Sequence, residues 1–307
     1  MMARKHISLM VFVLTLAACA SVKTGPYGPF ETKHHEHGTY YLFGQSESKS
    51  LIIYLEGSGM NSVLGVKSGR HWKSVQFTYF VTNAYQDRFV VLVPEKLTMK
   101  PGCDYGTDSA IRSAYAVDNL VQSYVESIDH YLSTTHYDHV YLFGVSEGGL
   151  LLPAVYNQLA EKPEIDKIVI WGAGGLNQYE CFKILADSPV WMPDGYRALC
   201  AQVEQERKNI DQNPDSIEKS YLGWPYRRWS SFFVYNPIEE LALIDIPVFF
   251  VQGNVDWNSP VESVHRVQES LPNKPFTYRY IAEMGHIPDD ESVIFSLLNE
   301  IAGWLQL

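Results

Sequence analysis

The sequence predicts an α/β fold, on three observations. From residue 39 onward, short apolar runs of strand length alternate with longer segments of helical period. The apolar runs stop at Gly or Pro, residues that end strands and open turns. Of the 307 residues, 46% are hydrophobic and 19% charged, which excludes a disordered chain and leaves room for one large domain or two small ones.

Thr39–Phe43 reads as a strand. Leu51–Leu55 is a second, stopped by Glu56-Gly57-Ser58-Gly59, and Phe89–Val93 a third, stopped by Pro94. Asp108 or Ser109 is placed to cap a long helix, with Ala114, Val117, Val121, Tyr124, Ile128 and Tyr131 on one apolar face at spacings of three and four. Val140–Phe143 is a strand ended by Gly144, and a helix follows from Gly149 to Ala160, with Pro153 tolerated near its start. Ile168–Trp171 is the next strand, ended by Gly172-Ala173-Gly174-Gly175.

The rhythm breaks between about residues 176 and 235, a more polar stretch with a helical run near Arg197–Ile210. It closes on the aromatic and basic segment Trp224-Pro225-Tyr226-Arg227-Arg228-Trp229. Alternation resumes with strand Val248–Val251, helix Val261–Leu271, strand Thr277–Ile281 and a last helix, Glu291–Leu305. Internal repeats are absent. The economical reading is one sheet-centred domain over 39–307, with a helical insertion at about 176–235 before its last two strands.

Chemistry concentrates in a few places. Gly144-Val145-Ser146-Glu147-Gly148 has the form G-x-S-x-G between a strand and a helix. There a sharp turn exposes a serine hydroxyl, glycines avoid clashes, and the following helix turns its free N–H groups and positive end toward the reacting centre. A serine hydroxyl needs a base to become a useful nucleophile. His286, in Ala282-Glu283-Met284-Gly285-His286 after the strand Thr277–Ile281, stands where such a base belongs, whereas His265 falls inside a helix. The base needs a carboxylate to hold its tautomer. Asp256 follows the strand Val248–Val251, and the loop after the preceding strand, residues 172–178, contains no acid. Glu283 is the next candidate.

The chain order Ser146, Asp256, His286 resembles that of the α/β-hydrolase superfamily. The resemblance covers residues from about 39 to 307. It implies a mostly parallel eight-stranded sheet with helices on both faces and a cap formed by the insertion. It also implies two backbone N–H donors for the oxyanion, from Glu147 and from Ser58 in Glu56-Gly57-Ser58-Gly59. That loop resembles the family's His-Gly-x-x loop, with Glu56 where His is usual. The implied activity is ester hydrolysis through an acyl-enzyme, with no cofactor and no metal. Peptidase or amidase action with the same triad is the alternative, because Glu56 and Glu147 near the site could attract a substrate amine unless they face solvent or a basic partner. A non-catalytic binding protein on the same scaffold is a third reading, set back by the full triad.

The N-terminus reads as a targeting segment. Arg4 and Lys5 precede an apolar run, Ile7 to Ala18, too short to span a bilayer as a stable helix. It ends in Leu16-Ala17-Ala18-Cys19, which resembles the lipobox of bacterial lipoproteins. Residues 1–18 are then a signal peptide, Cys19 the lipidated residue, and 19–38 a tether carrying His34, His35 and His37, read as solvated linker and not as a metal site. By resemblance to the sorting rule of Gram-negative lipoproteins, Ala20 and not Asp after the Cys implies the outer membrane, with the protein facing the periplasm. The formal net charge of -11 argues against nucleic acid as a partner, leaving a small-molecule ester or amide. In an oxidising compartment, Cys181 and Cys200 are expected to bridge within the insertion, leaving Cys103 free, with a bridge from Cys103 to the insertion as the alternative.

Overall fold

The computed structural model describes residues 26–36, 38–45, 47–68, 71–103, 108–160, 165–193 and 195–306. The proposed signal peptide, Cys19, the first part of the tether and His37 lie outside the described residues. In chain order the first half contains β1 (Phe30–His35), β2 (Gly38–Phe43), β3 (Ser50–Leu55), the small hairpin β4 (Val66–Ser68) and β5 (His71–Ser74), α1 (Thr78–Tyr85), β6 (Val90–Pro94), α2 (Ser109–Ala114), α3 (Val117–Leu132) and β7 (His139–Val145). Then come α4 (Glu147–Gln158) and β8 (Ile165–Trp171). The insertion holds α5 (Gln178–Asp187), α6 (Tyr196–Cys200), α7 (Val203–Gln212), the short strands β9 (Ser220–Tyr221) and β10 (Trp224–Pro225), and α8 (Tyr226–Phe232). The chain closes with α9 (Pro237–Ala242), β11 (Val248–Gly253), α10 (Glu262–Ser270), β12 (Phe276–Ile281) and α11 (Glu291–Leu305).

Eight strands form one sheet in the order β1-β2-β6-β3-β7-β8-β11-β12. The β1–β2 and β2–β6 pairs are antiparallel, and every pair from β6 to β12 is parallel. The apolar run of β3 follows from this: Leu51, Ile53 and Leu55 enter the core on one face while Ile52 and Tyr54 enter the core on the other. A central parallel strand is covered on both sides, so its side chains are apolar at every position. Helices α3, α4 and α10 pack on the first face, α1 and α11 on the second. The insertion builds its own small core from Phe182, Leu185, Val203, Ile210, Trp229 and Phe233.

Several expectations need correction. Residues 30–35, read as tether, form the edge strand β1 in full register with β2. The histidines there are structural: His34 Nδ1 lies 2.9 Å from Thr39 Oγ1, and His35 Nε2 lies 3.0 Å from Ser127 Oγ while its ring stacks on His130. The long helix expected after Asp108 is two helices. Asp108 caps α2, but Tyr115 leaves the helical region at ψ 73° and α3 restarts at Val117. The helical run near Arg197–Ile210 likewise divides into α6 and α7.

The expected Cys181–Cys200 bridge is not formed; Cys103, Cys181 and Cys200 are all free. The two cap thiols lie in different surroundings. Cys181 Sγ is 4.0 Å from the Leu176 carbonyl, where the cap meets the sheet domain, whereas Cys200 is packed into the core of the cap. Burial pushes the Cys200 thiol up to about 11 and the Cys181 thiol higher still, so neither readily supplies the thiolate that exchange needs. Denatured, non-reduced protein should therefore yield three titratable thiols at these positions. A peptide linking Cys181 to Cys200 in a mass map would contradict the structure.

Candidate active site

The site lies beyond the C-terminal ends of β3, β7, β8, β11 and β12, where open α/β sheets bind ligands. Ser146 sits between β7 and α4 with φ 56° and ψ -120°, a region that costs a non-glycine residue energy. Its N–H donates to the Trp171 carbonyl at 2.7 Å, and its own carbonyl accepts from Leu150 at 2.8 Å to start the helix. The turn is tight enough to dictate its glycines. A Cβ on Gly144 would come within 2.6 Å of the Gly148 carbonyl, and one on Gly148 within 2.2 Å of the Leu55 carbonyl. The Ser146 conformation is thus imposed by backbone packing on both sides.

His286 follows β12, and its Nδ1 lies 2.7 Å from Asp256 Oδ2. Asp256 follows β11 and is fully buried. Its Oδ1 accepts the N–H groups of Asn258 and Ser259 at 2.7 and 2.9 Å, and its Oδ2 also receives Gln252 Nε2 at 3.3 Å. The carboxylate is therefore held by its own loop independently of the histidine. The His286 loop is held in turn by Trp171, whose indole N–H donates to the His286 carbonyl at 3.1 Å. Gly172, at φ 64°, leaves room for the ring: a Cβ there would lie 2.9 Å from His286 Cε1.

Ser146 and His286 open onto one cavity of about 810 Å³, with the Glu56–Ser58 loop at its edge. A Cβ on Gly57 would lie 3.3 Å from Ser146 Cβ, so this loop packs directly against the serine. The Gly57 N–H is engaged by Glu56 Oε1 at 2.7 Å. The Ser58 N–H has no acceptor among the described residues, and Glu147 occupies the first position of α4, where a helix offers its N–H no partner. These two donors are the pair the sequence singles out.

Glu56 and Glu147 are both engaged within the protein, Glu147 by a basic partner and Glu56 by Thr78. Both are buried. Glu56 Oε2 accepts the N–H and hydroxyl of Thr78 at 2.7 and 2.8 Å, and burial raises its pKa. It thus ties the loop to the start of α1. Glu147 receives the Tyr115 hydroxyl at 2.5 Å and Arg228 at 2.7 Å. The basic partner of Glu147 is part of the chain itself, and neither carboxylate faces solvent. Lys96, also buried, donates to the Gly59 carbonyl at 2.9 Å and supports the same loop.

Arg228, Tyr115, Gln178, Gln252 and Gly172 also support the site, without a motif in the sequence that marks them. Of these, Arg228 carries a usable signal, lying in a basic and aromatic segment between Trp224 and Trp229 of an acidic chain.

No protein-family model and no curated protein matches the chain. Its likeness is to solved structures. An acylaminoacyl peptidase from Pyrococcus horikoshii aligns over 93% of this chain with a TM-score of 0.59 and 12% identity. The chain spans only 42% of that protein's length. Est1E from Butyrivibrio proteoclasticus with ferulic acid bound aligns over 90% of this chain and 96% of its own, with a TM-score of 0.59 and 12% identity. The esterase EaEST from Exiguobacterium antarcticum aligns over 91% and 99%, with a TM-score of 0.55 and 14% identity. The chain has the α/β-hydrolase fold, with the insertion placed as a cap.

Proposed function

We propose that the chain is a serine hydrolase that cleaves carboxylic esters. Ser146 Oγ attacks the acyl carbon and His286 takes its proton, while Asp256 holds the ring and stabilises the imidazolium. The N–H groups of Ser58 and Glu147 receive the oxyanion of the tetrahedral intermediate. His286 returns the proton to the departing alcohol, and water repeats the sequence to release the acid. The observation that carries this reading is Ser146 in a strained strand-to-helix turn, sharing a cavity with a histidine whose Nδ1 is 2.7 Å from a buried carboxylate.

Phe77, Phe80, Phe182, Trp224, Trp229 and Trp257 line the cavity, which suits a bulky apolar or aromatic group on the substrate. The case for a substrate amine loses its basis, since Glu56 and Glu147 are both buried and engaged. Labelling with a fluorophosphonate tests the reading and separates it from a non-catalytic binding role. A preference for an aromatic ester over an aminoacyl amide separates esterase from amidase; the reverse preference would overturn the ester assignment.

The same proposal places the enzyme in a bacterial envelope, lipid-anchored through Cys19 and facing the periplasm from the outer membrane. Cys19→Ser is expected to move the protein from the membrane fraction to the soluble extract. Unchanged membrane association would discard the anchor.

A further inference from the structure

The carboxylate of Glu147 joins three parts of the molecule. It belongs to the residue after Ser146. Its Oε1 accepts from Tyr115, at the break between α2 and α3, and its Oε2 accepts from Arg228 on α8 of the cap. Arg228 Nη1 reaches on to Gln178 Oε1 at 2.8 Å, at the start of α5 where the chain enters the cap. The entry and exit of the cap therefore meet on the catalytic turn through one guanidinium.

That guanidinium is 1% exposed and packed among rings, with its centre 4.0 Å from the Phe232 ring centroid, 4.4 Å from Trp229 and 4.7 Å from Trp224. Its Nε is buried without an acceptor. With the cap seated as it is here, both members of the pair are closed off from bulk water, so loss of either leaves an uncompensated buried charge. Arg228 also lines the cavity that holds Ser146. The residue that Arg228 holds is the one whose N–H, at the first position of α4, is the oxyanion donor in the proposed reaction.

We propose that Arg228 is a positioning residue that couples seating of the cap to alignment of the Glu147 N–H donor. This rests on the hydrolase reading above. With the cap in place, Tyr115 and Arg228 hold the Glu147 side chain from two directions, and its backbone N–H keeps its aim. Without Arg228, a buried carboxylate is left with Tyr115 as its one partner, and the Glu147 residue that carries the donor loses half of its side-chain anchorage while the Ser146 turn itself stays packed. Losing one oxyanion donor costs enzymes about 10²–10³ in rate, so misaiming one is expected to cost somewhat less.

The test uses p-nitrophenyl acetate, whose acyl group is too small to need the cap walls. Arg228→Met should lower kcat about 10- to 100-fold with KM within about twofold. Arg228→Lys should recover part of the loss. Adding Glu147→Gln to Arg228→Met should restore more, because the unpaired carboxylate is gone. Fluorophosphonate labelling should slow in parallel with kcat. If Arg228→Met does not fold, Arg228→Lys, checked by near-UV circular dichroism, carries the same kcat-against-KM comparison. Wild-type kcat on the acetate in the folded variant, with KM raised only for bulky esters, would reduce Arg228 to a docking contact and overturn the proposal. Wild-type protein that is not labelled at Ser146 would instead overturn the hydrolase reading itself.

Discussion

Ser146→Ala is expected to remove ester hydrolysis by at least about three orders of magnitude in kcat while the protein stays folded. The size follows from the division of labour. Without the hydroxyl no acyl-enzyme forms, and what remains is orientation by the cavity and the two N–H donors of Ser58 and Glu147. Residues that act as a unit lose nearly everything with the first member removed, so Ser146→Ala/His286→Ala should be little worse than the single variant. Folding should survive because Ser146 holds its turn through its backbone, with the N–H on Trp171 and the carbonyl on Leu150. Alanine keeps both bonds. Relief of the φ 56° strain is not expected either, since alanine is as poorly suited to that region as serine. Steady-state hydrolysis of an aromatic ester beside a thermal melt checks both halves. Retention of most activity would remove Ser146 as nucleophile.

Asp256→Asn is expected to lower kcat by about 10³–10⁴ with little change in KM. The Oδ1 side of the carboxylate accepts two backbone N–H groups, from Asn258 and Ser259, so an asparagine would keep its carbonyl oxygen there. Its NH₂ group would then take the Oδ2 position, facing His286 Nδ1. Donating to Nδ1 forces the ring proton onto Nε2, the tautomer that cannot accept a proton from Ser146. Turning the amide around would give up the two backbone bonds, so the protein has no inexpensive way to restore the base. Gln252 makes the arrangement tighter, because its Nε2 would also meet a donor instead of an acceptor. Full activity in this variant would move the acid elsewhere, with Glu283 the first place to look.

The residues of the candidate site are legible because each chemical demand leaves a local mark. The turn around Ser146 needs glycines on both sides, and Gly144 and Gly148 are visible as such in the sequence. Asp256 and His286 each follow a run of strand character, and position after a strand carries over directly into position at the sheet's C-terminal edge. The central strands were legible for a related reason. Burial on both faces makes β3, β7 and β11 continuous apolar runs that no loop would carry. The edge strand β1 was missed because Glu31, Lys33 and His34 give it the composition of a linker. Pairing with β2, not apolar content, makes it a strand.

What the sequence by itself determined is the α/β architecture, the order of its main elements and which residues stand at the ends of which strands, since periodicity and turn chemistry are properties of neighbours along the chain. The partners of the buried charges were decided only by the tertiary structure. Glu147 and Arg228 are 81 positions apart, and Glu56 finds Thr78 only when the start of α1 packs against the loop after β3. A lone carboxylate beside a nucleophile reads the same in sequence whether it greets a substrate amine or is closed off by an arginine. The unbridged thiols belong with them: Cys181 and Cys200 share a segment, yet one faces the sheet domain and the other the core of the cap. Contacts between distant segments are set by how the cap packs on the sheet, and that packing has no periodicity to read.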